Sequence, residues 1–116
     1  MYGRRAVFTL NNPADPDPAT KLRNFGSALY SNDYYDIIID NLFTSPGFIE
    51  KNQLYIERKD FFAIIGWVVF DSKESFDNYA KDPATMSIVD AMKAYAQADG
   101  ISIEFTDSDQ VYISNL

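Results

Sequence analysis

The chain holds 116 residues with 10 basic and 17 acidic side chains, a formal charge of −7, no histidine and no cysteine. That length gives room for one hydrophobic core and one domain, 1–116, and an apolar share of 47% against 23% charged residues excludes a disordered composition. The negative charge opposes binding to nucleic-acid backbones, and the missing imidazoles and thiols remove disulfides, the commonest general base and the usual zinc and haem ligands, so no metal and no cofactor is expected.

Near the N-terminus Arg4 and Arg5 precede an apolar run too brief for an export signal. The longest uncharged apolar stretch, Phe61 to Phe70, is about half of the roughly 20 residues a membrane helix needs. The expectation is a cytoplasmic protein with no membrane partner.

Ala6, Phe8 and Leu10 alternate with Val7 and Thr9, which predicts a first strand stopping at Asn11-Asn12-Pro13. Pro13, Pro16 and Pro18 stiffen an acidic connector, after which Asp17 caps a helix with Pro18 at its first position. Leu22, Phe25 and Leu29 fall at helical spacing, while Gly26 predicts that this helix is short. Residues 13–31 therefore read as an insertion or an extra short helix.

A second helix starts at Asn32 or Asp33, with Tyr35, Ile38, Ile39, Leu42 and Phe43 as its apolar stripe, and Thr44-Ser45-Pro46-Gly47 ends it as a turn. From Phe48 to about Glu57 the pattern alternates, Leu54 and Ile56 against Gln53, Tyr55 and Glu57, and Arg58-Lys59-Asp60 makes a hairpin tip. The partner strand, Phe61 to Phe70, is apolar on both faces, so something covers both sides of it.

Asp71 or Ser72 caps the next helix, with Glu74 placed as in a capping box, and Phe76, Tyr79 and Ala80 face inward. Asp82-Pro83 kinks or restarts that helix, Ile88, Met92 and Tyr95 form its stripe, and Gly100 stops it. Ile101, Ile103 and Phe105 alternate with Ser102, Glu104 and Thr106 in a fourth strand, and Val111 and Ile113 point to a short final one. The order strand, helices, hairpin, helix, strand predicts an α+β fold of the ferredoxin-like βαββαβ kind, an antiparallel sheet with helices on one face.

Most carboxylates sit where capping and turns account for them: Asp17, Asp33, Asp71, Asp82, Asp107 and Asp109. Asp107-Ser108-Asp109 lacks the glycine and terminal glutamate of a calcium loop. Neither a G-x-S-x-G elbow nor a phosphate-binding glycine loop occurs. Glu57 and Glu104 stand on the polar alternation of predicted strands, where a covered face would raise their pKa; exposure is the plainer expectation.

Ser45-Pro46-Gly47-Phe48-Ile49, the strand end Val68-Val69-Phe70 with Asp71-Ser72-Lys73-Glu74-Ser75-Phe76, and Tyr79-Ala80-Lys81-Asp82-Pro83 resemble the antibiotic-biosynthesis-monooxygenase-like domains of the dimeric α/β-barrel superfamily. The likeness covers about 60 residues as a pattern of turn, strand end and helix starts. It implies a dimeric α/β barrel and admits activities from cofactor-independent oxygenation of aromatics to haem degradation. The haem-degrading branch relies on an asparagine, a tryptophan and a histidine. This chain has no histidine, and Phe70 stands at the usual tryptophan position.

Two functions of different classes follow. One is a cofactor-independent monooxygenase-like enzyme for a small apolar or aromatic molecule, with Tyr55, Trp67, Tyr95 and Glu104 as pocket candidates and no catalytic residue assigned. The other is a non-enzymatic oligomeric domain that binds a ligand or partner. A closed cavity above about 300 Å³ lined by tyrosine hydroxyls and Glu104 favours the first, a filled core the second.

The expected partner is a second copy of the chain. If the hairpin closes on an even number of loop residues, Leu54 and Ile56 share a face with Ile65, Trp67 and Val69, which becomes the helix side. Phe62, Ile64, Val68 and Phe70 are then left as the dimer face; an odd loop exchanges the two.

Overall fold

The structure, a computed structural model, describes residues 1–10, 17–31, 40–58 and 61–110, with the side chains of 18, 19, 29–31, 55, 57, 58, 61 and 62 left aside. The expected tip at Lys59-Asp60, the stripe residues Tyr35, Ile38 and Ile39, and the final strand at Val111 and Ile113 lie outside the described residues.

Four strands form one antiparallel sheet: β1 (Tyr2–Leu10), β2 (Phe48–Arg58), β3 (Phe61–Phe70) and β4 (Ile101–Ser108), in spatial order β2-β3-β1-β4. Three helices are described: α1 (Pro18–Ser31), α2 (Lys73–Lys81) and α3 (Pro83–Ala98). This is the ferredoxin-like arrangement that the element order predicts. No described helix is long and apolar enough to cross a membrane.

Because side chains alternate along a strand, the register decides which residues share a face. Phe8 lies opposite Ile64 and Ile103, Ala6 opposite Gly66 and Phe105, and Arg4 opposite Val68 and Asp107. The helices cover this face: Leu22 and Phe25 of α1 and Ala96 of α3 pack with Phe8, Leu10, Ile64 and Ile101, while Phe76 of α2 packs with Phe70 and Leu42. Fully burying a side chain such as Phe25 or Phe70 contributes about 1.5–3 kcal/mol, and both are sealed from solvent.

The even-loop register is the one observed, with Leu54 opposite Ile65, Asn52 opposite Trp67 and Arg58 opposite Phe61. The face assignment inferred from it is reversed. Ile64, Val68 and Phe70 point at the helices, so they are not a dimer face; Phe62 has the same strand parity, its side chain lying outside those described. The reason is that the apolar alternations of β1 and β4 register with Ile64 and Phe70, and together they offer the larger surface to cover. The other face carries Ile65, Trp67 and Val69, and no described helix residue joins their cluster.

Local signals explain the helix ends. The Asp17 side chain accepts from the Thr20 amide (3.2 Å), and α1 runs 14 residues despite Gly26. It is longer than expected because Leu22 and Phe25 are completely buried, and that packing outweighs the roughly 1 kcal/mol a helical glycine costs. Ser72, not Asp71, caps α2 by accepting from the Ser75 amide (3.2 Å), so Ser75 takes the place expected for Glu74. Asp82 accepts from the Ala84 amide (2.9 Å) and Pro83 starts α3, which makes two helices rather than one kinked helix.

Residues 40–43 are helical and Leu42 is buried as expected, but Phe43 is 61% exposed, with its ring edge-on to Phe48. Asp107 and Ser108, expected in a turn, extend β4, because Asp107 pairs with Arg4 of β1 through Nε (2.7 Å) and Nη2 (3.0 Å).

Gly47 and Gly100 both adopt left-handed backbone, with φ of 84° and 71°. They differ in surroundings: a Cβ on Gly47 would lie 2.5 Å from the Asp71 carboxylate and 2.6 Å from the Ser75 Cβ, whereas nothing lies within 4 Å of one on Gly100. Gly100→Val is expected to cost about 1–2 kcal/mol from backbone strain alone. Gly47→Val should cost about 1–3 kcal/mol more through overpacking. Urea-unfolding midpoints at matched slope measure both, and the order Gly47 above Gly100 is the expected outcome.

Candidate functional site

Small residues stand where the sheet and helices face one another at mid-height. Ala6 of β1 and Gly66 of β3 are register partners on the helix side, and Gly26 of α1 also borders this region. A Cβ on Gly66 would meet nothing closer than the Asn52 carbonyl oxygen at 4.0 Å. The result is a half-enclosed cavity of about 150 Å³. Its apolar wall comes from Phe8, Ile64, Val68, Ile88, Met92 and Phe105.

Polar groups enter from several elements. On β2 the register places Lys51 opposite Val68 and Gln53 opposite Gly66, so the polar alternation of this strand faces the helices and its apolar residues Leu54 and Ile56 face away. Burial holds the Lys51 ammonium below the usual lysine pKa. Tyr79 of α2 packs its ring on Phe70 (5.1 Å between centroids) and borders the cavity; burial raises its pKa, which the Arg4 charge partly offsets.

Asn41 donates its side-chain amide to the Thr85 hydroxyl, a buried polar group thereby satisfied. Arg4 spans the rim with its guanidinium over Phe105 (4.7 Å) and Phe76 (5.3 Å) and its charge matched by Asp107.

Of the four pocket candidates read from the sequence, the three described ones, Trp67, Tyr95 and Glu104, are not brought together. Trp67 borders the cavity by its place in β3, but its register is that of the opposite face, where it packs with Val69 and Ile65. Tyr95 is 38% exposed on α3, with its ring 5.6 Å from that of Phe25. Glu104 is exposed opposite Val7, on the face away from the helices, because it alternates with Ile103 and Phe105. Tyr55 stands in β2 opposite Ile64, and its side chain lies outside those described.

The cavity is about half the 300 Å³ set for a closed pocket, and Tyr79 rather than Tyr95 is the tyrosine among its described lining residues. The core is not filled either. Gly66 was the signal that could have located the space, since it is the one residue without a side chain in an otherwise bulky strand. Lys51 could have been found by carrying the register back from the hairpin.

No family model matches the chain, and no curated protein matches it. Solved structures do. The cofactor-independent oxygenase SnoaB from Streptomyces nogalater aligns at 14% identity over 96% of this chain and 93% of that one, with a TM-score of 0.61. A putative antibiotic biosynthesis monooxygenase from Nitrosomonas europaea aligns at 12% identity over 97% and 100%, with a TM-score of 0.55. A dimeric ferredoxin-like protein from an uncultured marine organism aligns at 13% identity over 100% and 98%, with a TM-score of 0.57. At these identities the likeness is one of fold: the chain has the ferredoxin-like fold found in antibiotic biosynthesis monooxygenases.

Proposed function

We propose that this protein is a cytoplasmic, homodimeric, cofactor-independent monooxygenase-like enzyme acting on a small one-ring aromatic molecule. The half-enclosed cavity between the sheet and the helices carries this reading. An apolar space of about 150 Å³ accommodates a benzene ring, and here a half-enclosed space of that size is bordered by a tyrosine, a lysine and side-chain amides. The fold shared with a cofactor-independent oxygenase supports the reaction class.

In such a reaction the substrate itself supplies the electrons. A ring carbon of a phenol, a methylene in its keto tautomer, becomes a carbonyl by taking one atom of dioxygen, and the second atom leaves as water with the two hydrogens of that carbon. The chain's part is to orient the ring, keep bulk water from it and hold its developing negative charge near Lys51 and Tyr79. A second reading is binding without turnover, favoured by the absence of any carboxylate among the described residues lining the cavity.

Oxygen uptake with a panel of one-ring phenols should yield the corresponding quinone from at least one member, in the protein as purified and without haem, flavin or zinc in its absorption and metal analysis. Saturable binding with no uptake across the panel would select the second reading. Gly66→Val should narrow the cavity and weaken ring binding while leaving the unfolding midpoint near the parent value, since the added Cβ enters open space in a strand that favours β-branched residues.

For the dimer, Leu54, 39% exposed on the face away from the helices, with half-buried Ile65 opposite it, is the surface offered for an isologous pairing; Trp67 and Val69 of that face are already buried within one chain. A neighbour of this fold described as dimeric supports that arrangement. Sedimentation equilibrium at micromolar concentration should give about twice 13.2 kDa. Leu54→Asp should shift the mass toward one chain with the circular dichroism unchanged.

A further inference from the structure

We infer that the cavity takes a para-alkyl phenol lengthwise, its hydroxyl at Tyr79 and its alkyl end against Phe8, Ile64 and Met92. The inference deepens the reading of this cavity as the ring site and rests on it. It starts from a difference in chemistry between the two ends of the space. Along β1 and β3 the register sets Arg4 opposite Val68 and Phe8 opposite Ile64, with Ala6 and Gly66 between them. Four residues of strand separate the two pairs by roughly 13 Å.

The Phe8 end is hydrocarbon. Met92 packs against the cluster that holds Phe8 and Ile64, and a Cβ on Gly26 would lie 3.3 Å from the Ile64 Cδ1. The other end is polar, with Arg4 and Lys51 both register partners of Val68, and Tyr79 close enough to feel the Arg4 charge.

Most polar groups that border the cavity are already engaged. Arg4 is held bidentately by Asp107, Asn41 donates to Thr85, and the Asn52 side chain accepts from the Gln53 amide. Lys51 and Gln53 are likewise engaged within the chain. The Tyr79 hydroxyl differs, because no described residue exchanges a hydrogen bond with it. Its ring is fixed on Phe70, at 5.1 Å between centroids, and burial raises its pKa, so at neutral pH it stays protonated and can both donate and accept. A phenol hydroxyl supplies the partner that this half-dry group lacks. A second polar substituent at the far edge of the ring would be left unpaired against Phe8, Ile64 and Met92, whereas a methyl group there meets its like.

Three para-disubstituted rings of nearly equal shape separate the two ends: p-cresol, p-xylene and hydroquinone. Titration calorimetry at pH 7 under nitrogen, which prevents turnover, should find p-cresol about fivefold tighter than p-xylene, as one neutral hydrogen bond gives, and about tenfold tighter than hydroquinone. Tyr79→Phe keeps a ring on Phe70 and should lower p-cresol to the level of p-xylene, with p-xylene itself bound as in the parent. Equal binding of p-cresol and p-xylene, or an advantage that survives Tyr79→Phe, overturns the hydroxyl anchor. Hydroquinone matching p-cresol overturns the apolar end. Failure of all three to bind overturns the cavity reading along with the inference. The expected order of affinities with no oxygen uptake in air upholds the inference while the oxygenase reading fails.

Discussion

The pairing of β3 between β1 and β2 is the constraint from which the rest of the molecule follows. With Phe8 opposite Ile64 and Leu54 opposite Ile65, a pleat of period two leaves no choice about which side chains share a face. One face gathers Phe8, Leu10, Ile64, Phe70 and Ile101 and takes the helices. The other keeps Ile65, Trp67 and Val69. A slip of one residue would turn Phe70 and Ile64 to the face where Trp67 and Ile65 stand.

The same constraint makes the cavity. Gly66 and Ala6 fall opposite each other because of that register, and the space between sheet and helices is left unfilled at the point where both lack bulk. Lys51 and Gln53 reach its border because β2 presents its polar alternation to the side that β1 and β4 make apolar. An edge strand tolerates this, since the ends of long side chains can reach toward water while their stems pack. Lys51 shows the cost of the arrangement in its lowered pKa, and Arg4 shows how it is limited, by the facing carboxylate of Asp107 and the flanking rings of Phe76 and Phe105.

The turn at Gly47 ties the second half of the sheet to α2. Its carbonyl accepts from the Asp71 amide (2.8 Å), while hydrogen bonds from Ser75 and Ser72 hold the Asp71 carboxyl below its ordinary pKa. The strand end, the helix cap and the turn thus share one small polar cluster. Tyr79, one turn beyond Phe76 on α2, is delivered from there to the cavity with its ring on Phe70.

The sequence by itself determined the elements that local chemistry sets: the strand alternation of Ala6, Phe8 and Leu10, the start at Asp17-Pro18, the restart at Asp82-Pro83, the left-handed stop at Gly100, and a two-sided apolar β3. Their order also made the ferredoxin-like topology legible. What only the tertiary structure decided was the sidedness of the sheet and, with it, the site. Periodicity says that Ile64 and Ile65 lie on opposite faces, but choosing the face the helices cover needs the registers of β1 against β3 and of β4 against β1, contacts between residues far apart in the chain. For that reason periodicity alone puts Ile64, Val68 and Phe70 on the wrong side, and draws Glu104 and Tyr95 into a pocket they do not line. Gly66, Lys51 and Tyr79, unremarkable in the sequence, border the cavity because three separate elements converge on it.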